Sequence, residues 1–240
     1  IDKTRRDFVA NLSHELRTPV GAVSLLGEML VDEPDSAVRK QLTDRLLIEV
    51  DRMSVTIDDL LELSRIESTT QSYDEPIHMQ TVVDEALERT RVAAEMAEIE
   101  VGSIGPNEPI MTSGNRDQLV TALVNLVENA IKYSSAGDSI SVRSRADNDE
   151  ITLVVQDSGR GIPARDLDRI FERFYRVDRA RESTTGGTGI GLSIVRHVAI
   201  NHGGTVVVTS FEGDGSTFTM TLPRSVPQNS PEPAIGESHQ

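Results

Sequence analysis

The apolar side chains of residues 37–67 recur at intervals that suit a long helix with a partner. Leu42, Leu46, Val50, Met53, Ile57 and Leu60, with Ser64 closing the row, follow in steps of four, four, three, four, three and four. Such a near-heptad row is the seam of a helical bundle or coiled coil. Upstream, at about 100° of rotation per residue, Phe8, Leu12, Leu16, Val23, Leu26 and Leu30 gather into a second stripe, on a helix expected over residues 3–32. Between the two, VDEPDS breaks the pattern with Pro34 and short acidic side chains. The result is an antiparallel hairpin, which alone buries too little surface to be stable. It must pack on a second copy, as a homodimeric four-helix bundle through residues 3–67, or on the chain's own C-terminal part. Two long, continuous stripes favour the second copy.

One residue of the first helix is out of place. His14 points nearly opposite the apolar stripe, which excludes a core role and leaves a solvated or a functional side chain. Glu15 beside it can orient an imidazole and raise its basicity. Pro19 cannot donate to the carbonyl of Glu15, so a bend is expected one turn beyond the histidine.

Beyond residues 69–76, a polar and pattern-free linker, the pattern becomes mixed α and β. Helices are expected over 79–96, 115–134 and 189–202, with a short one at 164–173. Strands are expected near 99–101, 110–112, 139–145, 151–157, 205–211 and 216–222. Residues from 224 on carry Pro227, Pro231 and Pro233 without periodicity and read as a disordered tail. Aromatics make up only 3% and cysteine is absent, so the core must rest on aliphatic side chains, and disulfides and thiolate metal sites are excluded. A net charge of −15 argues against nucleic acid as the main partner. No apolar run approaches the roughly 20 residues of a membrane span. Because the chain opens on Ile1 directly in helical pattern, it is expected to be a fragment, with membrane attachment only through a missing upstream segment.

Three further stretches carry chemistry. On the helix of residues 115–134, Asn125, Asn129 and Lys132 share a face at i, i+4 and i+7, with Tyr133 at its edge. Amide oxygens suit a hard cation and an ammonium suits phosphate, although a solvated helix face has the same composition. On the next strand Ile151, Leu153 and Val155 face one way and Asp157 continues that inward row. A carboxylate there needs donors, such as an exocyclic amine of adenine, or else caps a turn. Gly159 and Gly161 follow it and let a ligand approach the backbone. Finally, Gly187, Thr188, Gly189, Ile190, Gly191 and Leu192 open directly into a helix, a phosphate cradle that is neither a Walker A motif nor a Rossmann fingerprint. The loop between the glycine clusters is too long for a passive connector and reads as a lid. It carries Phe171, Glu172, Arg173, Phe174, Tyr175 and Arg176.

These boxes, in this order over residues 5–223, resemble those of sensor histidine kinases of two-component systems. The wording SHELRTPV and NLVENAIKYS is similar to that of the actinobacterial phosphate-sensing subgroup. The resemblance implies a multidomain chain. Residues 1–68 would be the dimerisation and histidine-phosphotransfer hairpin, 69–76 a linker, 77–223 the ATP-binding domain and 224–240 a tail. The ATP-binding domain would be an α/β sandwich with a mixed sheet backed by helices, as in gyrase B, the Hsp90 chaperones and MutL. It further implies ATP and Mg²⁺ as cofactors, His14 as phospho-acceptor, and Glu15 as general base or orienter of the ring. Asn129 would ligate Mg²⁺, Asn125 would shape the site, and Lys132 and Tyr133 would contact phosphate and nucleoside. Asp157 would receive the adenine amine, with Gly159 and Gly161 admitting the ring. Arg176 would reach the γ-phosphate, while Gly187, Thr188, Gly189, Gly191 and Leu192 close over the phosphates. The phosphoryl group would pass to an aspartate of a response-regulator receiver domain. Thr18, one turn from His14, would position a water for dephosphorylating that receiver, unless it only makes a local hydrogen bond before Pro19. The expected location is the cytoplasmic portion of a membrane-anchored receptor. A gyrase- or chaperone-type ATPase and a nucleotide-binding signalling scaffold without catalysis are the competing functions; the His14 box and the hairpin weigh against the first, the intact Asn129, Asp157 and Gly189 against the second.

Overall fold

The computed structural model describes residues 2–68, 75–105, 109–147, 149–177 and 187–225, with side chains in the first helix described for Leu12 and from Leu16 on. Most of the expected linker, residues 69–74, and most of the expected tail, residues 226–240, lie outside the described residues.

Two long helices lead. Helix α1 (Asp2–Val31) runs unbroken through Pro19, whose ring is buried, and α2 (Ser36–Ser68) runs back along it. Asp35 caps α2, its Oδ1 accepting from the backbone N–H of Ala37 at 2.7 Å. The row of α2 that the chain itself buries is not the expected heptad seam. Leu42, Thr56, Leu63 and Ile66 are buried, whereas Val50, Ile57 and Ser64 are exposed. The reason is a division of labour along the helix. Leu63 and Ile66, in its last turns, join the core of the following domain, and the Asn201 side chain donates to the Ile66 carbonyl at 2.8 Å. The C-terminal turns thus pack on the chain itself, while Leu47, Val50, Ile57 and Leu61 are exposed on the hairpin.

After the hairpin come β1 (Pro76–His78), α3 (Met79–Met96), β2 (Glu100–Ile104), β3 (Met111–Ser113) and α4 (Arg116–Tyr133). Then follow β4 (Ser139–Ala146), β5 (Glu150–Gln156), a 3-10 turn (Ala164–Asp166), α5 (Gly191–Asn201), β6 (Thr205–Phe211) and β7 (Gly215–Pro223). The main sheet has the order β2-β4-β5-β7-β6; β2 and β4 pair in parallel and the other neighbours antiparallel. Period-two alternation sends Ile151, Leu153 and Val155 of β5, with Phe218, Met220 and Leu222 of β7, to one buried face. Helices α3, α4 and α5 supply the opposing layer, α4 with the completely buried Leu119, Leu123 and Leu126. This is an α/β sandwich with a mixed sheet backed by helices, and it rests on aliphatic side chains as the composition demanded.

Two local readings change. Pro76, read as linker, begins β1, which pairs antiparallel with β3 across Pro76 and Ser113; three residues carry too short an alternation to be seen. The helix expected over 164–173 is reduced to the 3-10 turn and a series of hydrogen-bonded turns. Ile170 and Phe174 must both reach the core there, and Phe174 does so at φ 62°, which no continuing helix allows.

Candidate functional site

Helix α4 starts at Asn115, whose Oδ1 accepts from the Gln118 N–H at 3.0 Å. From there its 3.6-residue period points Leu119, Leu123 and Leu126 at the sheet and turns Asn125, Glu128, Asn129 and Lys132 toward a cleft. The Asn125 amide donates to the carbonyl of Thr121 and the Asn129 amide to that of Asn125, each at 2.9 Å. One N–H of each amide is thereby used on the helix, and the side-chain carbonyl oxygens remain as acceptors for a ligand.

The cleft has a volume of about 240 Å³ and lies between α4, the end of β5, the start of α5 and the turns before residue 177. It gathers Asn125, Asn129, Lys132, Tyr133, Asp157, Gly161, Arg176, Gly187, Thr188, Gly189, Gly191 and Leu192 around its wall. Of the nucleotide-site residues expected from the sequence, only Gly159 stays off that wall. A Cβ at Gly159 would fall on the carbonyl oxygen of Tyr133, so this glycine serves the close approach of the loop to α4. Asp157 is buried at the cleft end of β5, where the N–H groups of Gly159 (2.9 Å) and Ser216 (3.1 Å) both donate to its Oδ1. Burial raises its pKa above the usual carboxylate range, the two backbone donors pull it back, and Asp138 raises it slightly.

The glycine box closes the other side. Added Cβ atoms would strike Lys132 Nζ from Gly187 and Asn125 Oδ1 from Gly191, so bare backbone lies against the ammonium and the amide. Gly189 sits at φ 69° with Phe174 directly behind it, and the Phe174 N–H donates to its carbonyl at 2.8 Å. Two residues with positive φ are thus held against each other. Of the loop read as a lid, residues 162–177 are described and 178–186 lie outside the described residues.

Among the cleft residues that carried no expectation are Glu128, Val55 and Asp59. Glu128 stands on the face of Asn125 and Asn129 at i+3, a position the helical count would have found. Val55 and Asp59 come from α2, and nothing in the local pattern points to them. Thr188 donates its hydroxyl to Asp59 Oδ2 at 2.5 Å, joining the hairpin to the glycine box. Burial pushes the Asp59 carboxyl up, the Thr188 hydrogen bond opposes this, and Asp58 adds to it; burial and then the Asp59 charge push Glu128 up. A second bridge lies lower on α2, where Glu67 pairs with Arg173 and, at 3.1 Å, with His197. The side chains of His14 and Glu15 lie outside the described residues. Thr18 is exposed, and no described side chain of α1 lines the cleft.

The cleft fits a nucleotide and the hard cation that accompanies it. Among the described residues no group of three or more His, Cys, Asp or Glu could hold a metal alone. Amide oxygens beside an ammonium and a glycine cradle suit a Mg²⁺ ion held mostly by phosphate oxygens.

Comparison with known proteins agrees with this geometry. A family model described as "His Kinase A (phospho-acceptor) domain" matches residues 4–69, and one described as "Histidine kinase-, DNA gyrase B-, and HSP90-like ATPase" matches residues 114–226. The chain is 45% identical over 225 residues to the sensor-like histidine kinase SenX3 of Mycobacterium tuberculosis, covering 93% of this chain and 55% of that protein. It is 37% identical over 226 residues to the phosphate regulon sensor protein PhoR of Pseudomonas aeruginosa, covering 91% and 50%. The chain therefore spans about half the length of the curated relatives it matches. Among solved structures, a mycobacterial sensor histidine kinase, MprB, superposes with a TM-score of 0.55 at 32% identity over 63% of this chain and 97% of that one. The Acinetobacter baumannii histidine kinase AdeS superposes at 0.67 and 26% identity, over 88% and 97%.

Proposed function

The chain belongs to the sensor histidine kinases, and on that premise we propose that it transfers the γ-phosphoryl group of ATP to His14 and then to an aspartate of a response-regulator receiver domain. The observation that carries this reading is the single cleft in which Asp157, the Asn125–Lys132 face and the glycine box converge. Asp157 accepts the adenine amine through its cleft-side oxygen. Asn129, with Asn125 beside it, offers amide oxygen to Mg²⁺, which supplies charge neutralisation on the phosphates when bound. Lys132 and Arg176 add positive charge, and Gly187, Gly189 and Gly191 bring backbone close to the phosphates.

In the transfer, an imidazole nitrogen of His14 forms the P–N bond as the bond to the ADP oxygen breaks, and Glu15 orients the ring or takes its proton. Receiver aspartate then attacks phosphorus and regenerates the imidazole. Positioning and charge neutralisation do most of this work, which suits a donor and an acceptor on separate elements. Thr18, exposed one turn from His14, holds a water that hydrolyses the receiver's aspartyl phosphate and releases inorganic phosphate.

The hairpin, as residues 1–68, forms the homodimer. Its exposed Leu25 and Met29 on α1 and Leu47, Val50, Ile57 and Leu61 on α2 supply the apolar rows that a second copy covers in a four-helix bundle. Residues 77–223 form the catalytic domain, with 69–76 as linker and 224–240 as tail. The chain is read as the cytoplasmic portion of a membrane-anchored receptor; none of its described helices is long and apolar enough to cross a membrane.

Incubation with Mg²⁺ and γ-labelled ATP tests the reading. An acid-labile, base-stable adduct is expected and should vanish in His14→Gln. Absence of label, or label that survives the substitution, refutes it.

A further inference from the structure

Within the loop that follows β5, three positions have no freedom. Asp157 is tied by two backbone donors, Gly159 lies against Tyr133, and Gly161, at φ 68°, lies against the Phe211 carbonyl. Arg160, between the glycines, is the one residue there that brings a long side chain to the cleft wall. Its backbone is pinned at both ends: its N–H donates to the Tyr133 carbonyl at 3.1 Å and its own carbonyl accepts from Gly213 at 2.8 Å. Held in this way, its guanidinium carbon lies 4.4 Å from the centre of the Tyr133 ring. The Lys132 ammonium lies 5.0 Å from the same ring centre.

We propose that Arg160 is a nucleobase-stacking residue, its guanidinium, laid over the Tyr133 ring, presenting its outer face to a purine bound at Asp157. The proposal rests on the reading of the cleft as an ATP site and assigns its base end. A guanidinium stacked on an aromatic ring is planar, weakly hydrated and cationic, and it presents both charge and a flat face to an electron-rich purine. Lysine has charge but no plane, and that difference makes the role testable. The pinned backbone and the contact with the Tyr133 ring bring the guanidinium to the cleft before nucleotide arrives, which lowers the ordering needed on binding.

The test is a titration series of adenosine, AMP, ADP and ATP against the wild-type chain, Arg160→Ala and Arg160→Lys, followed by calorimetry. Removal of a stacking partner should weaken every member of the series by roughly the same factor, about tenfold, adenosine included. Lysine should not restore it. A loss that is absent for adenosine and grows with phosphate number, and that lysine restores, would make Arg160 a phosphate contact and overturn the proposal. Unchanged affinity throughout would overturn it too, leaving the stack as a surface feature. Asp157→Asn is the control for the underlying reading: if it weakens none of the four, the cleft is not a nucleotide site, whatever Arg160 does. Arg160 is exposed, so both variants should melt as the wild type does.

Discussion

Replacing Asp59 by asparagine should tighten ATP binding while leaving adenosine binding unchanged. Asp59 is an α2 residue whose carboxylate accepts the Thr188 hydroxyl at 2.5 Å, between the two glycines of the phosphate cradle. A phosphate one polar contact of about 3 Å beyond the Thr188 hydroxyl is taken at roughly 6 Å from the carboxylate. At an effective dielectric constant of about 20, two unit charges at that distance repel by about 3 kcal/mol. Salt at physiological strength, with a Debye length of about 8 Å, removes roughly half of this. About 1.5 kcal/mol remains, which corresponds to roughly a tenfold gain in affinity for each phosphate charge so placed. Asparagine retains an acceptor for Thr188, so the contact with α2 survives without the charge. The effect carries a pH signature. The folded Asp59 pKa is raised, chiefly by burial, so the repulsion is present above that raised value and is lost as pH falls through it. Calorimetric titrations of the two proteins with ATP should therefore differ most at the alkaline end and converge as pH falls. Equal ATP affinities at the alkaline end, or an equal gain for adenosine, would refute the charge argument.

The N-terminus of α4 should respond to pH through His202. Its Nε2 accepts from the Asn115 N–H at 2.9 Å and its Nδ1 donates to the Val198 carbonyl at 2.8 Å, so the ring is held neutral, and burial lowers its pKa against the pull of the Val198 carbonyl. A lowered histidine pKa gives stability that is full above the unfolded value of about 6.5 and lost as pH falls below it. Melting temperatures between pH 7.5 and 5.5 should show this loss in the wild type and a flatter profile in His202→Gln; parallel profiles would exclude the assignment. Gly189→Ala places a Cβ at φ 69° against the Phe174 backbone, a strain of about 1–3 kcal/mol before the overlap is counted. It should cut ATP affinity at least about tenfold, and wild-type binding would show the cradle to be more plastic than described. Leu63→Ala removes a side chain 1% exposed where α2 meets the catalytic domain, at a cost of about 3 kcal/mol. The melting temperature should fall by about 6–12 °C for a folded unit of this size, and an unchanged melt would mean that α2 and that domain unfold separately.

Much of the fold was legible because its signals are local. The bounds of α3 follow from period, and β5 and β7 announce their buried face by strict alternation ending at Asp157. The glycines at 187, 189 and 191 were legible as a cradle, since backbone must come close to whatever they face; what they face, Lys132 Nζ and Asn125 Oδ1, was not. Glu128 was missed although it stands on the face already identified, because a carboxylate beside a phosphate site runs against simple charge matching. Gly159 was read as making room for a ring and instead makes room for the Tyr133 carbonyl. The turns before Phe174 were misread as a helix because a positive φ at a phenylalanine leaves no mark on composition.

By itself the sequence determined the two long helices, the alternating strands and the order of the chemical boxes, since each depends on periods and residue types within a few turns of chain. Tertiary structure alone decided how α2 divides its faces, with Leu63 and Ile66 turned inward on the catalytic domain and Val50 and Ile57 left outside. It also decided that Asp59 meets Thr188, two residues 129 positions apart. Such a contact depends on how two separately patterned units dock, and docking is governed by the fit of whole surfaces, which no local period records.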